Sequence, residues 1–122
     1  MSYDLRAIAD SDGRFAVEAY LFVFEALARS RAVFRRERHV TGPELLEGAR
    51  LLALERYGRM ARLVLNSWGL RETDDIGEIV FTLIRWEVMS RTESDRIEDF
   101  HAVYDFEDAF VRSYRIRPGE NG

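Results

Sequence analysis

The chain has no cysteine and no lysine, and only two histidines. Without cysteine there is no disulfide framework, no thiolate metal ligand and no cysteine nucleophile. Two histidines, His39 and His101, are too few for a typical catalytic zinc site without remote carboxylates. With lysine absent, all 18 basic residues are arginine. Codon bias in a GC-rich genome accounts for that pattern; selection for arginine's planar, bidentate donors is the functional alternative. Long apolar runs are missing as well. The longest, Ala19 to Ala28, is broken by Glu25 and falls short of the roughly 20 residues a membrane-spanning helix needs. The opening residues, Met1 to Arg6, carry no apolar h-region. The expected location is therefore cytoplasmic, with no membrane partner. The sequence also lacks a glycine-rich phosphate loop, zinc-ligand spacing, a hydrolase elbow and any internal repeat.

What is present describes a globular domain. Of 122 residues, 47% are hydrophobic and 33% charged, a mixture that folds rather than stays disordered. Eight phenylalanines, five tyrosines and two tryptophans supply large side chains for one core. Charge is uneven: residues 1–70 hold 11 arginines and 9 acids, and residues 71–122 hold 7 arginines and 13 acids. The net charge of −4 disfavours general binding to nucleic acid, where phosphate contacts dominate affinity.

Apolar periodicity points to helices throughout. Asp4 to Ala9 reads as a short helical turn stopped by Asp10-Ser11-Asp12-Gly13. A long helix from about Arg14 to Arg36 carries two stripes. One is Phe15, Ala19, Phe22 and Ala26; the other is Ala16, Tyr20, Val23, Leu27 and Phe34. This makes it the central core element. Thr41-Gly42-Pro43-Glu44 reads as a capping box with proline in the first turn, and Gly58 as a stop or bend. Another helix carries Met60, Ala61, Val64, Leu65 and Trp68, and Gly69 ends it. Thr73-Asp74-Asp75 reads as the next N-cap, opening a helix to about Met89 with Trp86 on its apolar face. Residues 88–100 read either as a two-stranded β-hairpin or as a loop with a new N-cap at Ser94 or Asp95. Asp105 caps a last helix with Phe106 and Phe110 turned inward. The fold expected is mainly α: one compact domain over residues 1–116, a bundle of five or six helices, winged-helix-like if the hairpin forms. Residues 117–122 read as a flexible tail.

Four groups of residues carry candidate chemistry. Glu18 and Glu25 share a helix face, and such carboxylate pairs serve acid–base or metal sites; Arg14 and Arg29, each four residues away, offer helical ion pairs instead. Arg29, Arg31, Arg35, Arg36, Arg38 and His39 form the one basic cluster, suited to phosphates or an acidic partner. The structural alternative is a solvated helix C-terminus, where the dipole favours cations; the acidic C-terminal half offers an intramolecular partner. Glu98, Asp99, His101 and Asp105 bring two metal-ligand types together, although no metal or cofactor is expected. Trp68 and Trp86 read as core residues.

Several segments together resemble a family of short, uncharacterised bacterial proteins. They are Glu18-Ala19-Tyr20-Leu21-Phe22-Val23, Arg38-His39-Val40-Thr41-Gly42 with Glu44 to Gly48, Trp68-Gly69, Gly77 to Phe81, Asp99-Phe100 and Val103 to Phe106. The resemblance supplies no function and no catalytic residues. Leu83 to Arg91, with Asp95 and Arg96, is similar to the recognition-helix-to-wing passage of winged helix-turn-helix domains. DNA-binding members of that class lay the recognition helix in the major groove. Here Asp74, Asp75 and Glu78 would repel phosphate, so the resemblance implies a protein partner. The function expected is a non-catalytic protein-interaction module that binds a partner or itself, for example as a C2 dimer. The alternatives are a nucleic-acid-associated regulator using residues 29–39 and, less favoured, a small carboxylate–histidine enzyme.

Overall fold

The computed structural model describes residues 4–90 and 96–112. The described residues form five α-helices: α1 (Leu5–Asp12), α2 (Val17–Phe34), α3 (Gly42–Tyr57), α4 (Ala61–Ser67) and α5 (Thr73–Arg85). Short 3-10 segments lie at Gly58–Met60 and Ile97–Phe100, and a π-helical turn at Glu107–Arg112. The mainly helical class expected from periodicity is thus present, with no strand among the described residues.

Local chemistry sets most helix ends. Asp4 Oδ1 accepts from the N–H groups of Arg6 (3.0 Å) and Ala7 (3.3 Å), which starts α1. Gly13 ends it in the left-handed region at φ 78°. At α3, Thr41 Oγ1 accepts from Glu44 N (3.1 Å), and Glu44 Oε1 accepts from Thr41 N (3.0 Å), closing the predicted capping box. Arg35 and Glu87 finish α2 and α5 in left-handed conformations, at φ 56° and φ 60°. Arg36 N and Val88 N reach back to the carbonyls of Arg31 (2.9 Å) and Leu83 (2.8 Å). These are the six-to-one bonds of a Schellman ending, here without glycine.

The helix α2 is the central element. Ala19, Tyr20, Phe22, Val23 and Ala26 are all buried, so both predicted stripes reach the core. Burial, and after it the neighbouring Asp12 carboxylate, push the Tyr20 phenol up to about 12. Helix α3 packs antiparallel to α2, since Arg56 near its end meets Glu25 and Glu44 near its start meets Arg36. The two backbones touch at Gly48, where a Cβ would stand 2.7 Å from Ser30 Cβ and 2.8 Å from the Ala26 carbonyl oxygen. Trp68 packs on Phe22 and Tyr57, with ring centroids 5.9 and 6.0 Å apart. Tyr104, Phe106 and Phe110 form an aromatic anchor, and Tyr104 Oη donates to the Leu46 carbonyl at 2.7 Å.

Four expectations are corrected. The N-cap of α5 is Glu72, not Thr73, and Asp75 Oδ2 accepts from the N–H groups of Arg71 (2.8 Å) and Glu72 (3.2 Å). Thr73 is buried and donates instead to the Phe100 carbonyl at 2.6 Å. Helix α5 stops at Arg85, because the left-handed Glu87 turns the chain, and Trp86 beyond it is 51% exposed. Of the two readings of residues 88–100, the hairpin is not shown: residues 88–90 form no strand, and residues 97–100 form a 3-10 turn that seats Phe100 against Gly42 of α3 and Gly77 of α5. The remainder of the proposed hairpin, residues 91–95, and the proposed tail, residues 117–122, lie outside the described residues.

Candidate binding groove

The C-terminal half of α2 presents Phe24, Leu27 and Arg31 at helical spacing, all half-buried, with Leu27 at the outer part of the second stripe. Opposite it, α5 presents Val80, Phe81 and Ile84, and the chain after the helix adds Val88 and Met89. The loop into α3 and its first turn close one end through Val40, Gly42 and Leu45. These walls bound an open groove of about 610 Å³ with a largely apolar floor, within the range of ordinary ligand pockets. Phe100 forms part of that floor. It meets Phe81 edge-on, ring centroids 6.4 Å apart.

Phe100 is held from two sides. A Cβ on Gly77 would stand 2.6 Å from Phe100 Cβ, and one on Gly42 would stand 3.3 Å from its ring. Only glycine at 77 leaves room for the turn to seat there. Behind the turn, Thr73 Oγ1 accepts from Val103 N (3.1 Å), Asp74 Oδ1 accepts from Ala102 N (3.0 Å), and Asp74 Oδ2 pairs with His101 Nδ1 at 2.7 Å. The bond to His101 is the main cause that holds the Asp74 carboxyl below its ordinary value, and the same bond raises His101.

The predicted basic cluster divides. Arg31, Arg38 and His39 line the groove. Arg31 Nε donates to the Arg38 carbonyl at 2.8 Å, which shapes the loop at the rim. Arg29 and Arg36 do not join them. Arg29 forms a two-pronged pair with Glu55 (2.6 and 3.1 Å), and Arg36 pairs with Glu44 at 2.7 Å. Hydrogen bonding to Arg36 is also the leading cause that lowers the Glu44 carboxyl. Arg35 is exposed at the α2 ending. Among the described residues the carboxylate partners of the cluster therefore come from α3, through Glu55 and Glu44.

The other candidate groups are dispersed. Glu25 pairs with Arg56 across helices (2.6 Å), not with Arg29 along its own helix, and Arg14 pairs with Asp12 and Glu78, not with Glu18. Glu98 and Asp99 are exposed, His101 is taken by Asp74, and Asp105 serves the last turn through Glu107 N (3.4 Å) and Ala109 N (2.8 Å). Among the described residues no three His, Asp or Glu side chains gather where they could hold a metal ion. No helix among them is long and apolar enough to cross a membrane.

Sequence periodicity missed the groove because Leu27 read as part of a core stripe and Phe24 fell on neither stripe. One signal was available: α2 is apolar beyond its two stripes, at Leu21 and Phe24. No family model, curated protein or solved structure matches the chain. Neither resemblance drawn from the sequence gains a relative, and function rests on the groove alone.

Proposed function

We propose that the chain is a non-catalytic protein-interaction module whose binding face is the groove between α2 and α5. One observation carries this reading: an apolar floor of about 610 Å³ lies open beside a rim bearing Arg31, Arg38 and His39. Apolar floors with polar rims are the usual build of protein and peptide sites. The nucleic-acid alternative draws less support, since Arg29 and Arg36 already have carboxylate partners.

The test is affinity purification from the native cell, with mass spectrometry of proteins and co-purified nucleic acid, run on the native chain and on Ile84→Glu. A carboxylate on the floor of an apolar site costs binding. Proteins retained by the native chain and lost by Ile84→Glu support the reading, provided circular dichroism shows the variant folded. An identical set retained by both chains overturns it. Nucleic acid retained at low salt and lost with Arg35→Ala plus Arg36→Ala would favour the alternative.

A further inference from the structure

Seven of the fifteen described arginines are matched to a carboxylate; Arg6, Arg35, Arg59, Arg71, Arg85 and Arg96, like Arg31 and Arg38, have no such partner among the described residues. Arg14, Arg29, Arg36, Arg50, Arg56, Arg62 and Arg112 each sit on a carboxylate. Arg31 and Arg38 are set apart by their place on the groove. They border the same apolar groove, they are tied to each other through the Arg31 Nε bond to the Arg38 carbonyl, and neither has a carboxylate partner among the described residues. That bond spends only one of the five N–H donors on Arg31 and none on the Arg38 guanidinium. Two cations without carboxylate partners on the rim of one groove favour an anion there. Among the described residues the carboxylates on that side are Glu37, which is exposed and lines the groove, and the exposed Asp99 beside Gly42, and neither pairs with an arginine there.

Resting on the interaction reading above, we propose that the groove takes a segment of a partner protein with a carboxylate beside an apolar side chain. The apolar side chain lies on the floor formed by Leu27, Ile84 and Phe100. The carboxylate meets the Arg31 and Arg38 guanidinium groups at the rim, the charge-assisted and geometrically specific pairing that guanidinium groups favour. A basic segment fits the floor equally well but meets two like charges at the rim, which gives the site its discrimination.

The probe is a library of random displayed peptides selected on the folded chain, with individual winners then measured by fluorescence polarisation. The expected winners carry Asp or Glu next to aromatic or aliphatic residues. Arg38→Gln should weaken them about tenfold, the scale of a charge-assisted hydrogen bond at a partly exposed site. Arg31→Lys, which keeps the charge but loses the fork, should weaken them less than Arg31→Gln. Glu37→Gln should tighten them about twofold by removing a like charge, a gain that misfolding cannot imitate. Arg59→Gln, on the 3-10 segment before α4, should change nothing. Winners that lose binding with Ile84→Glu but show no acidic enrichment, and ignore Arg31 and Arg38, overturn this proposal and leave the groove reading standing. Winners indifferent to Ile84→Glu, or no winners at all, overturn both.

Discussion

Gly77 on α5 lies so close to Phe100 that a side-chain carbon on the glycine would stand 2.6 Å from Phe100 Cβ and 2.7 Å from Cγ. Both atoms belong to the root of the ring's side chain, which cannot swing away as a flexible tip would. Gly77→Ala should therefore destabilise the fold by roughly 1–3 kcal/mol, the usual cost of overpacking, despite alanine's better helix propensity. Phe100→Ala should cost about 3–5 kcal/mol. In the double variant the two penalties should fall well short of adding, because the clash disappears with the ring. Urea denaturation of the three variants checks this; full additivity would mean that the two residues do not meet.

Thr73 Oγ1 donates to the Phe100 carbonyl and accepts from Val103 N, so one hydroxyl holds both sides of the turn. Thr73→Val keeps the shape and removes both bonds. The expected loss is about 1–3 kcal/mol, since both backbone groups lose a partner in a buried or half-buried place. Amide exchange at Val103 should quicken more than exchange in the core of α2. Uniform quickening would indicate global destabilisation instead.

The pair of His101 and Asp74 gives the turn a pH dependence. His101 is raised above 6.5, first by its hydrogen bond to Asp74 and then by that residue's charge. Its contribution is complete below the ordinary histidine value and is lost as pH rises through the raised one. Asp74 is lowered from 3.8, so its contribution is present above that value and is lost as pH falls through the lowered one. The pair therefore contributes most in mildly acidic solution. The stability gap between the native chain and His101→Gln should be larger near about pH 5.5 than near about pH 8.5, the two sides of the histidine titration. Thermal denaturation at both values measures it. A gap that widens with pH would refute the assignment.

The ion pairs of α2 cross to α3. A double-mutant cycle on Glu25 and Arg56 should give a coupling of under about 1 kcal/mol that fades with salt, as for exposed pairs generally. The cycle on Glu25 and Arg29, which share a helix face but point to different partners, should give a smaller value. The reverse order would restore the intrahelical pairing expected from their four-residue spacing.

Tyr104 Oη reaches the Leu46 carbonyl, and burial pushes its phenol well above the usual tyrosine value. Tyr104→Phe keeps the packing against Phe106 and Phe110 and removes only that bond. The expected cost is about 1 kcal/mol, because the Leu46 carbonyl belongs to a helix and keeps its ladder bond. A loss of several kcal/mol would mean that the hydroxyl organises more of the anchor than one contact.

Helix boundaries were legible wherever a residue acts on neighbours three or four positions away. The stops at Gly58 and Gly69, the Thr41–Glu44 box and the cap role of Asp105 belong to this class, as does Gly13, although Asp10 to Asp12, read as part of the same stop, lie inside α1. The end of α5 was not, because its left-handed stop falls on Glu87, a residue with no strong preference for that conformation. Of the basic cluster, the sequence marked out Arg31, Arg38 and His39 but gave no reason to part them from Arg29 and Arg36.

Sequence alone determined that this chain makes helices, where most of them begin and end, and that it holds no thiol chemistry, because composition and short-range hydrogen bonding are written along the chain. Tertiary structure decided which charges pair, where Phe100 seats, and that Phe24, Leu27 and Ile84 line an open groove. Those outcomes depend on which helix faces meet. Glu25 finds Arg56 and Thr73 finds Phe100 across 31 and 27 positions, and no local rule reaches that far.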